Sequence, residues 1–333
     1  MLFIKIVFLI ILDKMTYVKF AGTERTTLVF VMEWLIVCVG VSGNILIIIL
    51  IALYDGIKKT VNKILFINLA VADLGFLLLR HSFNFVELYY FPHSTLGAFS
   101  CKVLEPISMA FFPASLLTII TISYYRYQGI VQLGRSELSV KKASCIVGVI
   151  WTSTLTFYPM RRIPFSSKLN ENSKTVCQLV LSKTIVKSVR LAEITMFFLV
   201  ILVTFILFLK MRRTLIDSSK FNFTLSISLR ICQNLKTLRV LKPVIIILFL
   251  TVTPISVADV LRLFHVESIK LILDFRDYMF MNHIFSVLML INSSANPFIY
   301  AFASREFRTS FVKLLKLRCW RRKDRVAPTP DNS

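Results

Sequence analysis

Seven long apolar runs constrain this chain more than any other feature. They cover residues 27–53, 64–90, 103–131, 143–160, 185–209, 240–264 and 278–303. A hydrocarbon layer about 30 Å thick takes roughly 20 apolar helical residues to cross. Each run is long enough for that and too long for an ordinary strand. The expected fold class is therefore an all-α membrane protein, a seven-transmembrane helix bundle with an amphipathic C-terminal helix. The connectors are mostly short and polar, which favours one compact bundle. No internal repeat is visible, and inverted-repeat transporters need one.

Composition agrees with a bilayer as solvent. Hydrophobic residues make up 56% of the chain and charged residues only 17%, where soluble domains carry roughly 45–50% apolar residues. This excludes a disordered chain and argues against a soluble enzyme. The net charge of +22 is spread between apolar runs, so a lipid surface is a better counterion than nucleic acid. The histidines His81, His93, His265 and His283 are scattered, and none has a metal-ligand spacing with Cys, Asp or Glu. There is no phosphate-binding glycine loop and no nucleophile elbow. The chain reads as not an enzyme.

Orientation follows from lysine and arginine. The 54–63, 131–142 and 210–242 segments with the tail from residue 304 hold 23 of them, and the opposite side holds 15. The richer side is expected to be cytoplasmic, with the N-terminus outside. This divides the chain into an outer N-terminus (1–26), a seven-helix domain (27–303) and a cytoplasmic helix and tail (304–333). The apolar run of residues 1–12 is too short to span. It leaves two readings open, a signal-peptide core or a start upstream of Met15.

Polar residues inside a membrane are costly and usually functional, and here they are ordered. The first run carries Gly43-Asn44. The second carries Asn68 and Asp73, the third Ser115 and the fourth Trp151. The sixth carries Pro254. The seventh carries Asn292, Ser293 and Asn296-Pro297-Phe298-Ile299-Tyr300. Together, in this order and at these depths, they resemble the rhodopsin-like (class A) family of G-protein-coupled receptors. The likeness covers about residues 27–320, nearly the whole chain, as an atypical member. It implies a plasma-membrane receptor that passes an extracellular signal to a heterotrimeric G protein. Two rival readings keep the same helices: a non-signalling decoy or heteromer partner, and a small channel or transporter.

The resemblance implies further parts. Cys101 and Cys177 would be joined by a disulfide. Both would face an oxidising compartment, and closing a loop of ~75 residues is worth roughly 4 kcal/mol. Cys38 and Cys145 are expected to be small apolar packers. Asp73, Ser115, Asn292, Ser293 and Asn296 would converge on a buried sodium ion. The residue types alone supply oxygens suited to a hard cation, and a water-filled polar network is the other reading. No further cofactor is expected. After the seventh run, apolar residues of 305–316 recur on one helical face with basic residues opposite. That helix would lie at the inner leaflet. Cys319 beside it is either a palmitoylation site or a plain thiol.

The ligand pocket implied by the resemblance opens outward between the third, fifth, sixth and seventh helices. Its candidates are Arg80, Glu105, Ser108, Phe112, Asp259, Arg262, Asn282 and Ser286. Ser108 stands where amine receptors carry an aspartate, so an amine ligand is disfavoured. Leu290 stands where opsins carry their lysine, so retinal is excluded. An arginine in the membrane needs a partner, which makes Arg80 a match for Glu105 or for a ligand anion. A purely structural ion pair is the alternative. The basic 161–190 segment, with Arg161, Arg162, Lys168, Lys174, Lys183, Lys187 and Arg190, is either a solvated face or a rim that steers an acidic ligand. Mixed pocket charges lean towards a peptide.

The signalling end departs from the family pattern. Tyr125 precedes Arg126 where an acid is usual, and Asn234 replaces a second acid. Val252 lies where the sixth helix usually has a tryptophan, two residues before Pro254. The fifth run has neither proline nor tyrosine. Two opposite consequences follow as hypotheses. Basal activity is raised because the restraint on Arg126 is missing, or coupling is poor because the relay is missing. Pro297 and Tyr300 keep the family pattern.

Overall fold

The structure is a computed structural model that describes residues 24–53, 60–89, 99, 103–131, 138–162, 165–169, 175–179, 183–219, 239–260, 263, 275–303, 307–309 and 311–314. Among these residues seven long helices follow one another. They are α1 (Glu24–Leu53), α2 (Val61–Tyr89), α3 (Glu105–Val131), α4 (Val140–Arg162), α5 (Lys183–Ser219), α6 (Arg239–Val260) and α7 (Phe275–Ala303). Every described residue of the seven apolar runs is helical. The chief differences lie at α5, which starts at Lys183 and continues ten residues past the expected end at 209 to Ser219. No proline or glycine interrupts that stretch, and its Lys, Met, Arg and Leu residues are good helix formers. The bilayer ends the apolar run without ending the helix.

Among the described residues, six helices are both long and apolar enough to cross a membrane. The exception among the described helices is α4, which has 23 residues and carries Thr152, Ser153 and Thr154 side by side. Their hydroxyls are satisfied within the helix. Thr152 donates to the Gly148 carbonyl at 2.9 Å, and Ser153 and Thr154 both donate to the Ile150 carbonyl at 2.9 Å. Such back-bonding lets hydroxyls sit in an apolar setting.

At the centre stands α3, packed against α2, α4, α5 and α7. Within its apolar window 61% of residues are buried, against 28% for α1 at the edge. The core divides into two apolar tiers. One includes Phe76, Phe112, Phe197, Val252 and Leu290. The other includes Leu65, Leu69, Ile119, Ile122, Met211, Leu241 and Tyr300. Between them along the helices lies a polar layer around Asp73. Outward faces of the bundle show large apolar residues such as Val149, Phe198, Phe205 and Phe302, as a lipid-facing surface requires. Cys38 and Cys145 belong to this exposed face.

Small residues set the closest helix approach. On α1, a Cβ added to Gly43 would stand 2.7 Å from Cβ of Pro297 on α7. One turn away, a Cβ on Gly40 would collide with Ser294 and Leu77. Such glycine contacts are how membrane helices bring backbones together.

The basic segment after α4, read from sequence as a loop, contains a two-stranded antiparallel hairpin. β1 (Phe165–Leu169) pairs with β2 (Thr175–Leu179), with Ser167 opposite Cys177. Past α7, residues 307–309 and 311–314 are helical. Arg308 donates to the Ala301 and Phe302 carbonyls at 3.2 and 2.6 Å, which caps the exposed C-terminus of α7.

Candidate functional site

The polar layer is built by residues that each helix places at one depth. Asp73 on α2 is fully buried. Ser115 on α3 donates to its Oδ1 at 2.7 Å. Asn296 on α7 donates from Nδ2 to its Oδ2 at 2.7 Å. A carboxylate without water is tolerable only with such donors. The Ser293 hydroxyl faces the same carboxylate without reaching strict hydrogen-bond geometry, and it is buried. Asn292 turns the other way and donates to Thr251 Oγ1 on α6 at 2.8 Å, leaving its own Oδ1 buried without a donor.

Two extensions widen this layer. Asn44 on α1 donates to the Ser293 carbonyl of α7 at 3.1 Å and to the Gly40 carbonyl of its own helix at 3.0 Å. Asn68 on α2 donates to Thr118 Oγ1 at 2.7 Å and accepts from the Trp151 indole at 2.7 Å, which joins α2, α3 and α4. Six helices thus share side-chain hydrogen bonds at mid-membrane. Of the five residues expected to converge, Ser115 and Asn296 bond the Asp73 carboxylate, Ser293 faces it, and Asn292 bonds Thr251 instead. Thr251 and Thr118 were not anticipated.

At the end of α3 the arrangement differs. Arg126 is half-buried, and its guanidinium lies 5.8 Å from the ring centroid of Tyr125. Tyr124 and Tyr127 stack at 6.3 Å, and Lys210 from α5 covers Tyr127 at 6.0 Å. Tyr300 of α7 is buried, packs edge-on against Phe66 at 5.0 Å, and lies within electrostatic reach of both Asp73 and Arg126. Pro254 sits within α6 and Pro297 within α7.

Towards the other end, charges pair as well. Arg80 reaches Glu105 at 3.9 Å, the first of the two expected matches. Arg190 bonds Asp259 at 3.0 Å. Arg190, which falls both in the 185–209 run and at the end of the basic 161–190 segment, belongs to α5 and ties that helix to α6. Ser108 is fully buried and donates to the Glu105 carbonyl at 2.7 Å. Phe112 is buried between Phe76 at 5.2 Å and Phe197 at 6.0 Å, with Val252 in the same apolar tier. Ser286 is buried at the α7 side. Glu33 on α1 is a buried carboxylate, 3% exposed, that sequence reading passed over.

Several expected parts lie outside the described residues: Cys101, Arg262, Asn234, Cys319 and the side chains of Cys177 and Asn282. No cluster of three His, Cys, Asp or Glu fit for a metal ion occurs among the described residues.

Residues 43–300 match the family described as 7 transmembrane receptor (rhodopsin family). Among similar proteins, neuromedin-U receptor 2 of Mus musculus is 25% identical over 90% of this chain and 78% of its own length. The C-C chemokine receptor type 6 of Homo sapiens is 26% identical over 86% of this chain and 76% of its own. The tachykinin-like peptides receptor 99D of Drosophila melanogaster is 30% identical over 47% of this chain and 33% of its own.

Proposed function

Because this chain belongs to the rhodopsin family of seven-transmembrane receptors, and so is a multi-pass signalling receptor and not an enzyme, we propose that it carries the signal of an extracellular peptide to a heterotrimeric G protein at the plasma membrane. The single observation behind the coupling step is the polar layer around Asp73, where hydrogen bonds join helices that a ligand must move relative to one another. Two states of such a bundle differ in which contacts they keep, and a ligand shifts the balance by its differential affinity. The names of a neuromedin-U receptor and a tachykinin-like peptides receptor among the relatives favour a peptide. The Arg80–Glu105 and Arg190–Asp259 pairs offer charged groups of both signs towards the side where such a ligand would enter. The lysine and arginine excess supports a cytoplasmic position for the ends of α3 and α5 near Arg126.

The same layer fits a sodium ion. Asp73 supplies a carboxylate, Ser115 and Ser293 supply hydroxyls, and the Asn292 Oδ1 is a buried oxygen with no donor of its own. A hard cation takes such oxygens. When bound it would neutralise Asp73 and hold α2, α3 and α7 together. Sodium titration of peptide binding in membranes, wild type beside Asp73→Asn, tests this. Sodium should lower affinity in the wild type alone; equal curves would remove the ion from the account.

Arg126 carries the second inference. With Tyr125 in the place of the family's acid, the restraint that such a carboxylate would supply is missing, and basal activity is raised. The test is basal nucleotide exchange on G proteins at matched surface expression, comparing wild type, Arg126→Ala and Tyr125→Asp. Output should fall in both variants. Wild-type output at the level of empty cells would instead favour the silent, decoy-like reading, which the apolar packing of Val252 supports.

A further inference from the structure

A groove of about 460 Å³ runs between the ends of α6 and α7 nearest Arg126. Its walls are Pro243 and Ile247 on α6, and Ala295, Phe298, Ile299 and Phe302 on α7. Among the described lining residues the charged group is Arg239, at the first residue of α6. Phe302 on the opposite wall is 81% exposed, so the groove opens sideways into the bilayer and not into the bundle. Its volume is that of a small-molecule site.

The two ends of this groove ask for different chemistry. The long wall is apolar and faces hydrocarbon, which suits an acyl chain. The mouth lies at the membrane surface and offers a guanidinium, which binds a phosphate or carboxylate through paired donors. Around it the chain is basic: Lys242 follows on α6, and Arg305 and Arg308 lie just past α7. Arg308 itself is committed to the α7 carbonyls, and Arg239 is the cation among the described residues that line the groove. We propose that this groove binds one anionic phospholipid of the inner leaflet, its acyl chain between α6 and α7 and its headgroup on Arg239. A lipid seated there touches both helices whose inner ends flank Arg126 and Tyr300, so leaflet composition would bias the conformation of the signalling end. The leaflet assignment rests on the orientation argued above; the site does not.

The experiment uses the full chain purified in mild detergent, with retained lipid read by native mass spectrometry. The probes are phosphatidylserine and phosphatidylcholine of the same acyl length. Wild type should retain one phosphatidylserine and little phosphatidylcholine. Arg239→Gln should weaken retention about fivefold, the contribution expected of one cation near an anionic surface. Ala295→Trp, which fills the groove and spares the arginine, should abolish it. Lys142→Gln, on the far side of the bundle, should bind as wild type. Equal retention of both lipids, or loss in none of the groove variants, would overturn the proposal. No G protein or peptide enters the assay, so silence in signalling leaves it standing. An inverted topology would show separately, as labelling of a C-terminal tag on intact cells.

Discussion

Asp73 and Arg126 are both ionisable residues inside one bundle, and the fold treats them differently. The carboxylate is fully buried and accepts from two other helices at 2.7 Å. The guanidinium is half-buried, and its aromatic partner is the preceding residue of its own helix at 5.8 Å. One charge ties three helices together. The contact between Arg126 and Tyr125 ties α3 only to itself. The difference teaches that the mid-membrane carboxylate couples helices through direct hydrogen bonds, whereas the Tyr125 ring adds no inter-helix bond of the kind a carboxylate at that position could make.

The largest test of this contrast is Asp73→Ala. It strips the acceptor from Ser115 and Asn296, and each stranded group costs about 1–3 kcal/mol. A loss of roughly 2–4 kcal/mol is expected, read as a fall in melting temperature in detergent. A change within experimental error would erase the difference between the two regions. Next comes Gly43→Val. Its side chain would overlap Pro297, and overpacking typically costs about 1–3 kcal/mol. The same thermal assay should show it, whereas Gly129→Ala, where a Cβ meets open space, should be nearly neutral. Trp151→Phe removes the indole donor to Asn68 and keeps the ring near Phe111. About 1 kcal/mol should be lost, and α4 amides should exchange faster with deuterium. Smallest in stability is Tyr125→Leu, at roughly 0.5–1 kcal/mol. That variant sharpens the comparison if its basal signalling changes by more than its stability does.

Much of the fold was legible because membrane depth leaves few reasons for a polar residue. Asp73, Asn296 and Ser115 announced themselves as isolated polar groups in apolar runs, and the structure joins them. Thr251 and Thr118 did not. A threonine in an apolar helix commonly bonds its own backbone, as Thr118 does to Ala114 at 2.6 Å and Thr204 to Val200 at 2.6 Å. That habit hides the second role of its oxygen as an acceptor for Asn68 or Asn292, which only the neighbouring helix reveals. The ends of α5 at Lys183 and Ser219 were less legible for a different reason. Hydropathy marks where lipid ends, and a helix that continues into water carries charged residues that look like loop. Glu33 was missed because one acid near a span's edge gives no periodicity. The hairpin after α4 lacks a strong strand pattern, since Ser166, Ser167 and Lys168 break the alternation.

The 37 residues of α5 make a rod about 55 Å long, against a hydrocarbon layer of about 30 Å. One end is pinned to α6 through Arg190 and Asp259, while the other runs on past Lys210 to Ser219. A rod so held behaves as a see-saw. If it pivots at that tie, about 10 Å from Lys183 and about 43 Å from Ser219, a tilt of about 5° moves the near tip by roughly 1 Å and the far tip by roughly 4 Å the other way. A displacement too small to notice at the pocket becomes, at the far tip, a shift comparable to the width of a side chain. Mechanical advantage of this kind needs no relay of aromatic residues along α6.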